Sequence, residues 1–129
     1  MRGHGFTVDV PAGWSVARTA DRVVARHGGA LVSVTRFPLR QPYDQSQFGA
    51  ATRSLDAVAA RLARAAGTSV GTAETVTVAN RKARAYTYGT KRIGFVLVGR
   101  DEYQLFCEQP GSAACGLLFD SFTLTGPQA

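Results

Sequence analysis

Cys107 and Cys115, the only two cysteines of this 129-residue chain, are the side chains with the most chemistry to offer. An even pair at short spacing fits a disulfide made in an oxidising compartment, which contributes about 2.5 kcal/mol through loop closure. The alternative is two buried thiols in a reducing compartment. A metal centre is disfavoured, because the spacing is not C-x2-C and only His4 and His27 are left to complete a ligand set. Ser, His and Asp all occur, but the nucleophile motif G-x-S-x-G does not, and the nine acidic residues form no evident acid–base dyad. No phosphate-binding loop is present. The Gly-His-Gly at residues 3–5 precedes a strand, the wrong context for a dinucleotide site. No catalytic residue, metal or cofactor is therefore expected.

A second cluster is basic and aromatic. Arg81, Lys82, Arg84, Lys91 and Arg92 interleave with Tyr86 and Tyr88, the composition of a stacking platform for single-stranded nucleic acid. Geometry argues against it. If residues 83–98 form a hairpin, the two basic groups sit at opposite ends of a strand, about 30 Å apart at about 3.3 Å per residue. Trp14, Arg84, Tyr86, Tyr88 and Tyr103 are instead candidates for a surface that binds a protein partner or an apolar ligand. The competing reading is that these aromatics pack in the core or at its rim.

The elements that must position these residues follow from periodicity. Phe6, Val8 and Val10 alternate with Thr7 and Asp9 as in a half-buried strand, which Pro11 ends. Trp14 and Val16 open a short second strand. Val23–His27 and Ala30–Phe37 flank Gly28-Gly29, a hairpin signal. Residues 38–43 read as a loop. Asp44 and Gln47 are spaced as a capping box for a helix over 46–66. Phe48, Ala51, Leu55, Val58, Ala59, Leu62 and Ala66 fall within about 100° of arc, with Arg53, Arg61 and Arg64 opposite. Strands follow at 75–78, 83–88, 92–98 and 103–108, with turns at Asn80-Arg81, Gly89-Thr90 and 99–101. Ser112 caps a short helix that buries Cys115, Leu118, Phe119 and Phe122. Hairpin-linked strands imply an antiparallel sheet, and the pattern lacks the βαβ repeat of nucleotide-binding domains.

Composition bounds the rest. Hydrophobic residues make up 45% of the chain, which suits one globular domain spanning residues 1–129. No apolar run approaches the ~18 residues of a membrane helix. The net charge of +6 rests on thirteen Arg and two Lys, and permits acidic partners or anionic surfaces without selecting one. The first strand begins almost at once, which fits either a cytoplasmic protein or one whose upstream signal or anchor is missing.

Several segments together resemble the PsbP-like family, the fold shared by an extrinsic photosystem II subunit and the Ran-binding Mog protein. They are Gly5-Phe6 through Pro11, Gly13-Trp14, the long helix, Thr75–Val78 with Tyr86-Thr87-Tyr88, and Gly99-Arg100 before Tyr103. Cys107, Cys115 and Ser121-Phe122-Thr123-Leu124 resemble the ending of its actinobacterial extracytoplasmic branch. Asn80 departs from the glycine often found there. The resemblance implies an α-β-α sandwich with a central antiparallel sheet of six to seven strands, and a Cys107–Cys115 disulfide. It implies a non-catalytic binding or assembly module of the bacterial envelope. An effector-associated chaperone for an apolar helix, which would be cytoplasmic, and a small hydrolase are the alternatives.

Overall fold

The computed structural model describes residues 1–108 and 112–125. Among these, the chain is α+β, as expected. A six-stranded antiparallel sheet runs in the order β3 (Ser15–Arg18), β4 (Arg22–His27), β5 (Ala30–Tyr43), β8 (Lys91–Glu108), β7 (Arg81–Tyr88), β6 (Thr72–Val78). A small second sheet joins β1 (Arg2–Gly3), β2 (Phe6–Thr7) and β9 (Thr123–Leu124). Helix α1 (Phe48–Ala65) packs on one face of the large sheet, and α2 (Ala113–Ser121) on the other with the small sheet.

Turn chemistry sets the hairpins. Gly28 takes φ +57° between β4 and β5, and Gly99 takes φ +58° within β8. The ends of β8 are brought together, because Glu108 accepts a hydrogen bond from the Thr90 hydroxyl at 2.9 Å and pairs with Lys91 at 3.1 Å. The segment therefore doubles back at Gly99. Its first arm pairs with β7 (Arg84 opposite Phe95) and its second with β5 (Val34 opposite Leu105). The turn before β7 lies at Ala79-Asn80, both at positive φ, one residue earlier than expected. Asn tolerates that conformation well, so glycine is not required there.

Three expectations need correction. Residues 38–43 are strand, since β5 runs on to Tyr43 through an irregular register between Pro38 and Tyr43. The prolines at 38 and 42 interrupt the pairing without ending the strand. The strand expected from Phe6 to Val10 is only Phe6–Thr7, and Val8 instead exchanges hydrogen bonds with the amino terminus and carbonyl of Met1. The buried stripe of α1 ends at Ala63, not Ala66. Its other features hold: Gln47 accepts the Asp44 backbone N–H at 2.9 Å, and Arg53, Arg61 and Arg64 are exposed.

The core has two halves. Val23, Val32, Val34, Val96, Leu105 and Phe119 belong to the half beneath α2, and Leu55, Ala59, Tyr86, Ile93 and Phe95 to the half beneath α1. Phe6, Tyr103 and Phe122 interlock beneath α2, with ring centroids 5.5–5.7 Å apart, and tie both chain ends to the sheet. Cys107 and Cys115 are fully buried and disulfide-bonded, linking the second arm of β8 to the first turn of α2. The Ser112 hydroxyl caps that turn by accepting the Cys115 backbone N–H at 3.3 Å.

Gly94 tests this packing. A β-carbon there would lie 2.5 Å from the Phe119 ring, whose other contacts include the Arg92 guanidinium at 4.1 Å. Gly94→Ala should destabilise the fold by about 1–3 kcal/mol, read as a lower urea midpoint with an unchanged slope.

Candidate functional site

The five aromatic and basic candidates do not form one surface. Tyr86 and Tyr88 are buried under α1, and Tyr103 is buried on the opposite face, where its hydroxyl donates to the His4 carbonyl at 3.1 Å. Trp14 is half-buried and stacks on His27 with ring centroids 5.8 Å apart. Arg84 lies beside Tyr86 and pairs with Asp56 of α1 at 3.0 Å. Tyr86 donates its hydroxyl to the same carboxylate at 2.5 Å. These three residues fasten α1 to β7. Of the other strand cations, Arg92 pairs with Glu74 at 3.3 Å and Lys91 with Glu108, Arg81 donates to the Leu97 carbonyl at 3.5 Å, and Lys82 is exposed.

A different region has the shape of a site. Residues on strands alternate between faces, so the registers assign each side chain of the α1-bearing face. Thr19, Arg22, Thr35 and Gln104 form one row across β3, β4, β5 and the second arm of β8. Ala17, Val24, Ser33 and Phe106 form the next. No helix among the described residues lies over these rows, because α1 sits over β7 and the first arm of β8. The boundary is a groove of about 400 Å³ lined by Arg22, Ser33, Thr35, Leu62, Tyr88, Ile93, Gln104 and Phe106. Phe37, on the same strand face, is 43% exposed.

The groove is apolar against the helix and polar away from it. Leu62, Tyr88, Ile93 and Phe106 form its inner wall and floor, and Arg22, Thr35 and Gln104 its outer side. Ser33 is 2% exposed, the one buried polar residue of the described structure. Among the described residues, neither its hydroxyl nor that of Thr35 has a hydrogen-bond partner, whereas Gln104 donates to Glu102 at 2.7 Å. A smaller recess of about 200 Å³ adjoins at Arg22 and is lined by Ala17, Arg18, Thr19, Val24 and Arg26 as well. Sequence reasoning found Tyr88 but missed Arg22, Ser33, Thr35, Gln104 and Phe106, which no local motif marks. A strand over 30–37 sets Ser33 and Thr35 on one face, but nothing local marks that face as one that stays open.

Among the described residues, no group of three or more His, Cys, Asp or Glu is placed to hold a metal ion. No helix of the described residues is long and apolar enough to cross a membrane.

No family model matches the sequence, and no curated protein matches it. Among solved structures, the chain is similar to a protein from Bacteroides thetaiotaomicron VPI-5482, with a TM-score of 0.55 and 10% identity over 95% of this chain and 46% of that one. The chain thus spans about half the length of that protein, and the likeness is one of fold.

Burial moves the tyrosines in a measurable way. All four phenols are held above their ordinary value of 10, in each case chiefly by desolvation. Tyr86 is pushed up to about 12, by burial first and then by its hydrogen bond to Asp56. Folding therefore favours the neutral phenols. The Tyr86 contribution to stability is complete below pH 10 and is lost as pH rises through about 12, and the other three have the same sign. Ultraviolet titration of the native protein should show phenolate appearing later than in denatured protein. Asp56→Asn should move the last-titrating phenol back toward 10.

Proposed function

We propose that this chain is a non-catalytic binding module of PsbP-like type that acts outside the cytoplasm of a bacterium, and that the groove beside α1 is its ligand site. The carrying observation is the uncovered half of the sheet face, where the groove opens between Leu62 of the helix and the strands. Binding pockets are concave, mainly apolar and edged by a few polar groups, and this groove has that makeup at a volume within the usual range. Its lining holds apolar, hydroxyl, amide and guanidinium groups, which suit recognition more than proton transfer. The buried Cys107–Cys115 disulfide supports an oxidising compartment.

Two measurements test this reading. The amphiphilic dye 1-anilinonaphthalene-8-sulfonate, an aromatic body with an anionic sulfonate, should gain fluorescence on the native protein at a single site. Thr35→Trp, which fills the groove from a half-exposed sheet position, should abolish the gain, while Arg61→Glu on the exposed face of α1 should leave it intact. Dye bound equally well by Thr35→Trp would place the ligand site elsewhere. Protein isolated without reductant and alkylated at once should show no reactive thiol until it is reduced. Two freely alkylated cysteines would overturn the extracytoplasmic assignment.

A further inference from the structure

Resting on the groove reading, we propose that the ligand is a free single-chain amphiphile with an anionic head: the head is bound by Arg22 with the Ser33 and Thr35 hydroxyls, and the apolar chain lies against Leu62, Tyr88, Ile93 and Phe106.

Four observations converge. First, the polar and apolar linings are segregated. Arg22 and Thr35 are direct cross-strand partners, while Phe106 lies one row further along, opposite Ser33. A ligand lying across the strands meets Arg22, Thr35 and Ser33 of β4 and β5 at one end, and Phe106, Ile93 and Leu62 at the other. Second, the polar end is a set of donors. Arg22 can only donate, and the Ser33 and Thr35 hydroxyls have donors uncommitted among the described residues. Guanidinium and hydroxyl groups converging on one point suit a carboxylate, sulfate or phosphate oxygen.

Third, the arginines around the outer side of the groove carry charge that no carboxylate among the described residues balances. Arg84 and Lys91 on the α1-bearing face, and Arg92 on the α2-bearing face, each pair with a carboxylate. Arg18, Arg22 and Arg26 have no carboxylate partner among the described residues, and all three line the recess that adjoins the groove. The groove lining itself contains no acid to repel an anion. Fourth, the apolar wall is recessed. Tyr88 and Ile93 are 5% and 4% exposed, so they are reached by a chain entering the groove and not by a flat bilayer pressed on the surface. That recess favours a free amphiphile over a membrane lipid.

The test compares three ten-carbon probes with one body and different heads, each titrated calorimetrically below its micelle-forming concentration: decanoate, decanol and decyltrimethylammonium. Decanoate should bind at one site per chain and bind tightest, with the cation excluded. Arg22→Glu, an exposed position with no ion pair to lose, should fold as the wild type and weaken decanoate by about tenfold or more. Thr35→Val, which keeps the side-chain shape, should weaken it less. Arg61→Glu should not change it.

Decanol binding as tightly as decanoate, with Arg22→Glu indifferent, would overturn the anionic head while leaving the groove as an apolar ligand site. Absence of binding by all three probes, together with dye fluorescence that Thr35→Trp does not affect, would remove the groove reading itself. Sedimentation with phosphatidylglycerol vesicles in the absence of decanoate binding would overturn the proposal in favour of docking on a bilayer surface. An acidic amphipathic peptide displacing the dye where decanoate does not would overturn it in favour of a protein partner.

Discussion

One long helix has to cover a sheet that is too wide for it. A helix with its side chains is about 10–12 Å across and neighbouring strands are about 4.8 Å apart, so one helix covers two to three strands. The sheet has six strands, and one of them doubles back to add another arm. On the opposite face the deficit is met by combining α2 with the small sheet, which brings both chain ends into the core through Phe6, Tyr103 and Phe122. On the α1 face nothing comparable among the described residues lies over β3, β4, the start of β5 and the second arm of β8. The open half, and the groove at its boundary, follow from that mismatch of widths.

The position of the boundary depends on where α1 is fastened. Asp56 on the helix receives both the Arg84 guanidinium and the Tyr86 hydroxyl from β7. The same contacts hold the Asp56 carboxyl below its ordinary range, chiefly through the Tyr86 hydrogen bond, so acid weakens the attachment as that carboxylate is protonated. Leu55, Ala59 and Ala63 supply the apolar contact, and two of the three are alanines, which bring the helix backbone close to the sheet. With the helix held over β7, Leu62 on its flank becomes a groove wall instead of a core residue.

Much of this was legible locally, and the groove was not. The stripe from Phe48 to Leu62, the Gly28 and Gly99 turns and the Ser112 cap are written in neighbouring residues, and each matches its structural role. Residues 38–43 were obscured because two prolines mimic a loop inside a strand that pairing with β8 sustains. The Phe6–Thr7 and Thr123–Leu124 pairing is too short to carry a period and joins opposite ends of the chain. Tyr86, Tyr88 and Tyr103 were visible as aromatics, but their burial depends on which helix covers which strand. Arg22, Thr35 and Gln104 come from three separate strands, and each is an ordinary sheet residue until the register sets them in one row.

The open half lacks a helical cover among the described residues, and its arginines bear on how its apolar floor is shielded. Val24 and Ser33 have no helix above them, yet they are 7% and 2% exposed. Their cover must therefore come from longer side chains of the sheet, and Arg22, Arg26 and Phe106 rim the recesses around them. An arginine stem can lie on apolar surface while its guanidinium stays in water. Such a covering shields Val24 at the expense of an unpaired charge, and places that charge where an anionic head would arrive. A leucine or valine at position 22 would cover the same surface, but would join Phe37 in a larger exposed apolar patch of the kind that promotes association. Charge on the stem that covers the floor thus keeps the rim of the groove polar, and on the proposed reading it is the same feature that would select an anion over a neutral or cationic amphiphile.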